Sequence, residues 1–208
     1  VADAGMLSDG NLRAMSGAGL RFIVGQKIPD VPYVVRHWMD THPGEQPPDG
    51  LILTQPWARG PAGQQVKETL YYQYRADRAR RTLRGIGEQV GKAERAVAGK
   101  APVKRNRFIA LTGAQKTVNR ELEAKARTLA GWKGYITNLA NPTPEYVIGA
   151  YHQLWQVEKS FRMSKSDLKA RPVYHHLKDS IEAQLTIVFA ALAVARWHQS
   201  TTGLRIHP

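Results

Sequence analysis

In the stretch Tyr151-His-Gln-Leu154-Trp155-Gln-Val-Glu158-Lys-Ser-Phe161-Arg162-Met-Ser-Lys165, a single carboxylate stands among cations and aromatic rings. At about 100° per residue, Tyr151, Trp155, Glu158, Arg162 and Lys165 fall within a stripe of roughly 80° on one helix face, with Leu154, Val157 and Phe161 beside it on the apolar side. A purely solvated face is expected to carry scattered Glu and Lys pairs, and a Trp and a Tyr in line with them have no evident purpose there. An amphipathic helix with an aromatic rim accounts for the same pattern, so periodicity leaves both readings open. The chain has no cysteine. That excludes a disulfide framework, a zinc ribbon, thiolate catalysis and iron–sulfur ligation, and leaves carboxylates, histidines and hydroxyls for any chemistry. His175 and His176 are adjacent, point about 100° apart on a helix and cannot form one ligand pair.

Charge indicates the partner. Thirty Lys and Arg against seventeen Asp and Glu leave a net +13 over 208 residues, which suits a polyanion, nucleic acid first and an acidic membrane second. Eleven basic residues between Arg75 and Arg107 face only Asp77, Glu88 and Glu94, a local +8. Few of them have an acidic residue four positions on, so contact with a phosphate backbone is expected of this segment. Its helix has few large apolar residues on its opposite face, which argues against a membrane-surface helix.

The elements that must position these residues read as α/β. A helix is expected from Ser8 through Met15, with Gly17 and Gly19 at its end, followed by a strand at Leu20–Val24. Seven prolines between residues 26 and 66 predict loops and short strands. Strands are expected at Leu51–Leu53, Thr69–Tyr74, Arg107–Leu111 and Gly134–Asn138. Helices are expected over 75–98, 115–129, 144–163 and 179–199, with Thr143 and Pro144 opening the third of these. The apolar run Leu185–Ala195 is shorter than the roughly 18 residues of a membrane span and reads as a buried core helix. The start, with Asp3 and Asp9 and no basic or apolar leader segment, is not a secretory signal and looks like an internal start.

The Tyr151–Lys165 stretch resembles the signature of DDE transposases from bacterial insertion sequences, the branch defined by Tyr, two residues, Arg, three residues, Glu, six residues, Lys. Tyr151, Leu154, Glu158 and Lys165 keep the spacing, with Leu154 standing where the family has Arg. Phe161-Arg162, Arg171-Pro172-Val173-Tyr174-His175 and Tyr135-Ile136-Thr137-Asn138 are also similar to this branch. The resemblance implies a ribonuclease-H-like core, with one Asp on its first strand, a second Asp after its fourth strand and a Glu on a later helix. Val1-Ala2-Asp3-Ala4-Gly5-Met6 resembles the surroundings of the second Asp, which makes Asp3 and Glu158 the expected catalytic and metal-binding carboxylates. The first Asp is then expected upstream of Val1, outside this chain. Asp9, Asp30, Asp40 and Asp49 come too late for that place and read as surface or turn residues.

By the same resemblance, residues 1–25 and 141–208 form parts of an N-terminally incomplete core, and 26–140 form an inserted basic, β-rich subdomain. Two Mg²⁺ or Mn²⁺ ions are implied, held by hard carboxylate oxygens. Tyr151 and Lys165 are implied contacts to the transposon-end phosphate, and Arg162 and Arg171 are added as candidates. Trp155 either stacks on a base or fills the edge of the core. The expected partner is double-stranded DNA, at transposon ends and at the target. A homodimer on paired ends, a cytoplasmic, nucleoid-associated location and no membrane complete the reading. Two function classes follow: the C-terminal part of a DDE transposase, inactive alone for want of the first Asp, or a DNA-binding module or relic without catalysis.

Overall fold

Ser8 opens the first helix by accepting a hydrogen bond from the Asn11 amide at 3.3 Å. This helix, α1 (Asp9–Gly17), ends where Gly19 takes φ 72°, and β1 (Ile23–Gln26) follows. The structure is a computed structural model and describes residues 1–3, 8–59, 65–102, 105–112, 115–166 and 175–203. The chain divides into two compact units, Val1–Tyr151 and His152–Pro208.

In the first unit, α2 (Tyr33–Thr41) leads to β2 (Ile52–Arg59), β3 (Val66–Tyr74) and α3 (Ala76–Val97). Then come β4 (Ile109–Thr112), β5 (Gln115–Val118), α4 (Arg120–Thr128), β6 (Trp132–Thr137) and α5 (Pro144–His152). Four strands make one antiparallel sheet in the order β1-β6-β3-β2. The central strands β3 and β6 are buried along most of their length. Strand β2 lies at the edge, where Pro56 removes no ladder bond the sheet needs.

One face carries the main core: Leu70, Tyr72, Tyr74, Trp132 and Ile136 of the sheet pack with Leu12, Phe22, Val24, Val35 and Ala79. Gly131 enters β6 at φ 92°, and a Cβ there would meet the Tyr74 ring at 2.5 Å. A second, smaller core joins the later turns of α3 to the β4–β5 hairpin and α4, through Ile86, Val90, Ala93 and the fully buried Phe108.

Several elements depart from expectation. A helix, α2, forms among the prolines because Pro32 stands just before its first turn, a position that needs no amide donor. The helix expected over 115–129 is a strand and a shorter helix: β-branched Thr117 and Val118 pair with β4, and the Asn119 side chain caps α4 by accepting from the Leu122 amide at 2.8 Å. With three helices among its strands, the segment 26–140 is more helical than expected. Its β3 and β6 share one sheet with β1.

The second unit holds α6 (Leu154–Ser166) and α7 (Lys178–Thr202) packed together, with Arg196 Nε donating to Ser160 Oγ at 3.0 Å. The long helix expected over 144–163 is interrupted by a turn at Gln153. Its two halves answer to different surfaces: Tyr151 of α5 packs on the sheet residue Tyr135, whereas α6 packs on α7.

Helix α7 is not a buried core helix. Val188 is its only buried residue among those described, while Ile187, Phe189, Val194 and Trp197 are each more than half exposed. The inward strip through Ile181, Gln184, Val188, Ala191, Leu192 and Ala195 is narrow and leaves much of the apolar run facing out. By length and composition alone α7 is apolar and long enough to cross a membrane, which the count of consecutive apolar residues did not show.

Candidate active site

Residues Val1 to Asp3 run beside β1, Ala2 bridging Val24 in parallel through Ala2 N to Ile23 O at 3.0 Å and Gly25 N to Ala2 O at 3.2 Å. Alternation along an extended chain then does the positioning. Ala2 packs on the main core, so Asp3 turns to the opposite face of the sheet, where Lys133, Tyr135 and Thr137 of β6 and the helix α5 also lie.

There the buried Tyr151 donates its phenol proton to Asp3 Oδ1 at 2.5 Å. The Tyr151 ring meets the fully buried Tyr135 ring edge to face, centroids 5.0 Å apart. The Lys133 ammonium lies over both rings, 4.2 Å from the Tyr151 centroid and 5.7 Å from that of Tyr135. Tyr135 in turn donates to Gln73 Oε1 at 3.4 Å. Burial pushes the Tyr135 phenol pKa up, and the positive charge and hydrogen bond of Arg78 pull against it. A carboxylate, a phenol and an ammonium are therefore gathered on one patch whose backing is rigid.

The strand end is anchored by the motif Thr137-Asn138. Phe22 N donates to Asn138 Oδ1 at 2.9 Å, and Asn138 Nδ2 donates to Leu20 O at 2.9 Å. Thr137 Oγ1 donates to Phe22 O at 2.6 Å. These bonds hold the segment entering β1, and so hold the strand that Ala2 and Asp3 lie against.

The remaining sequence-predicted residues fall on the second unit. Glu158 is in the middle of α6, at a helical position flanked on the same face by Trp155, Arg162 and Lys165, all exposed. Trp155 is 57% exposed, so it does not fill the edge of the core. Because the turn at Gln153 interrupts the helix, the single stripe running from Tyr151 to Lys165 does not exist; Tyr151 belongs to the Asp3 patch and the other four to α6. Arg171 and the residues around it, and Gly5 and Met6, lie outside the described residues. His175 and His176 are exposed, and Asp9, Asp30, Asp40 and Asp49 are all surface residues. Asp49 caps α3 by accepting from the Ala76 amide at 2.8 Å.

Sequence reasoning did not single out Lys133. The signal was present in the period-two alternation of β6, which places Lys133 on the face of Tyr135 and Thr137, but that face became meaningful only once α5 covered it.

A family model described as Transposase DDE domain matches residues 1–194. The chain belongs to the transposase DDE domain family, whose members act in DNA transposition and generally use divalent metal ions. No curated protein and no solved structure matches the chain.

The donors are of the right type for such ions, since hard cations take carboxylate oxygen. Asp3 is an exposed carboxylate on the edge of the sheet, and Glu158 is a mid-helix position of α6. Among the described residues no three of Asp, Glu, His or Cys gather closely enough to hold an ion.

Proposed function

We propose that the chain contributes the carboxylates Asp3 and Glu158 to a transposase that cleaves DNA at transposon ends and joins the freed 3′-hydroxyls to target DNA. The core is ribonuclease-H-like and includes the sheet that β1 shares with β6, β3 and β2. The observation that carries this reading is the hydrogen bond between Tyr151 and Asp3, residues 148 positions apart. Both were selected by the family resemblance, Asp3 from Val1–Met6 and Tyr151 from the spacing before Glu158, and they meet on one patch.

Mg²⁺ or Mn²⁺, when bound, supplies activation of the attacking hydroxyl and stabilisation of the leaving oxygen. The chain's own residues do the rest. Tyr151 orients the Asp3 carboxylate by donating to it. Lys165, Arg162 and Arg171 hold phosphate as cations on and beyond α6, and Trp155, exposed on the first turn of that helix, offers a face for a base to stack on. The protein acts as a homodimer on two paired ends.

A second reading, a DNA-binding module without catalysis, is favoured by one observation: the described carboxylates do not gather in threes. Calorimetric titration of Mn²⁺ into the chain and its Glu158→Gln and Asp3→Asn variants, with duplex DNA binding followed in parallel, separates the two. Metal binding tighter than millimolar that either substitution abolishes supports the catalytic reading. DNA binding without metal binding overturns it in favour of the module.

A further inference from the structure

On the patch that carries Asp3, Lys133 brings a charge of the wrong sign for a metal centre. Trp132 and Ile136 of β6 face the main core, so alternation puts Lys133 with Tyr135 on the other side of the sheet, half-buried and across from Gln73 of β3. Its ammonium lies over the Tyr151 ring, 4.2 Å from the centroid, and over the Tyr135 ring at 5.7 Å. Both rings are buried and packed edge to face, so two rigid surfaces restrict a side chain that is otherwise rich in rotamers.

Tyr151 relates this cation to the carboxylate. Its ring face holds the ammonium, and its phenol donates to Asp3 Oδ1. One ring and one hydrogen bond separate the two charges, a distance of about 8 Å or less. Other charges act nearby. Arg78, which donates to Gly131 O at 3.0 Å, acts on the Tyr135 phenol, and the exposed Glu145 of α5 acts on Tyr71. Lys133, however, is set against the ring that holds Asp3 itself. A methionine of similar length covers the same two rings and leaves a divalent ion at Asp3 unopposed, whereas a lysine covers them and places a fixed positive charge within range of that ion.

We propose that Lys133 is a positioning residue that compensates the Asp3 carboxylate when no divalent ion is bound and so lowers the affinity of the patch for that ion. The inference rests on the reading that Asp3 binds metal. An ion is then retained most strongly when an anionic group enters with it, because the added negative charge offsets the ammonium. At about 8 Å and a water-like dielectric, one unit charge changes the binding constant of a divalent ion about fivefold.

The test is Mn²⁺ binding to the full chain, followed by the loss of the free-ion paramagnetic resonance signal. Lys133→Met is expected to bind Mn²⁺ about fivefold more tightly than the unaltered chain, and Lys133→Arg within about twofold of it. The gain should be larger at 10 mM than at 150 mM ionic strength, where the screening length falls from about 30 to about 8 Å; a change in packing alone has no such dependence. It should vanish when Asp3→Asn is combined with Lys133→Met. A purely structural lysine gives the opposite sign, since uncovering the two rings loosens the patch and weakens the site. Should Lys133→Met fail to melt cooperatively, Lys133→Gln removes the same charge. Affinity that is unchanged or lower in a folded neutral variant, while the unaltered chain binds Mn²⁺ through Asp3, overturns the inference alone. Absence of Asp3-dependent binding in the unaltered chain and in both neutral variants overturns the metal reading and the inference with it.

Discussion

Replacing Asn138 by Ala tests whether the end of β6 holds the strand that carries Asp3. Asn138 is 6% exposed, and its amide satisfies two main-chain groups of another segment, the Phe22 N–H and the Leu20 carbonyl, each at 2.9 Å. An alanine leaves both without the partner they had. A buried group left unsatisfied costs about 1–3 kcal/mol. Leu20 is 55% exposed and its carbonyl regains water more readily than the amide of Phe22, which is 3% exposed. The sum is then about 3 kcal/mol, most of it from Phe22. For a unit of this size that corresponds to a fall of about 9 °C in Tm.

The assay is urea denaturation and thermal melting followed by circular dichroism, with amide hydrogen exchange as the local readout. Exchange at the Ala2 and Gly25 amides, which bond across the bridge between the chain start and β1, should rise along with the loss in stability. Asn138→Asp separates the two bonds: its carboxylate still accepts from Phe22 but sets an oxygen against the Leu20 carbonyl, so it is destabilising as well. A loss below about 1 kcal/mol for Asn138→Ala refutes the reasoning, because both buried groups would then have other partners.

Two further outcomes follow from the same region. Lys133→Met removes the cation from two tyrosine rings and should cost the first unit about 1 kcal/mol, whereas Lys133→Arg, which also stacks on an aromatic face, should restore most of it; equal losses in both variants would remove the cation–ring contact as the cause. Burial raises the Tyr72 phenol pKa above its ordinary 10.0. The folded state therefore holds this proton more tightly than the unfolded one, so the associated stability is intact below pH 10 and is lost as pH rises above it through the folded value. Urea midpoints measured on either side of pH 10 check this, and a Tyr72→Phe variant should lose part of the alkaline decline.

Read alone, the residues specify the local elements and much of the chemistry. Ser8 and the glycines at 17 and 19 mark the ends of α1, the basic helix α3 is written in its composition, and the strands β3 and β6 are evident from aromatic and β-branched runs. These are short-range signals, set by capping, backbone preference and period, and they need no knowledge of what lies opposite. Tyr151 and Asp3 were picked out by the family resemblance.

What lies opposite was decided by packing. The turn at Gln153 divides a helix whose periodicity is unbroken, because Tyr151 is taken up by Tyr135 while α6 packs on α7. The apolar run of α7 has the composition of a core helix and yet presents Ile187, Phe189, Val194 and Trp197 outward, since only one narrow strip meets a partner. Lys133 became part of the Asp3 patch only when the sheet register set it beside Tyr135 and α5 closed over both. A one-dimensional pattern records which side a residue faces; which surface waits on that side depends on contacts made across the whole chain, and those exist only in the folded molecule.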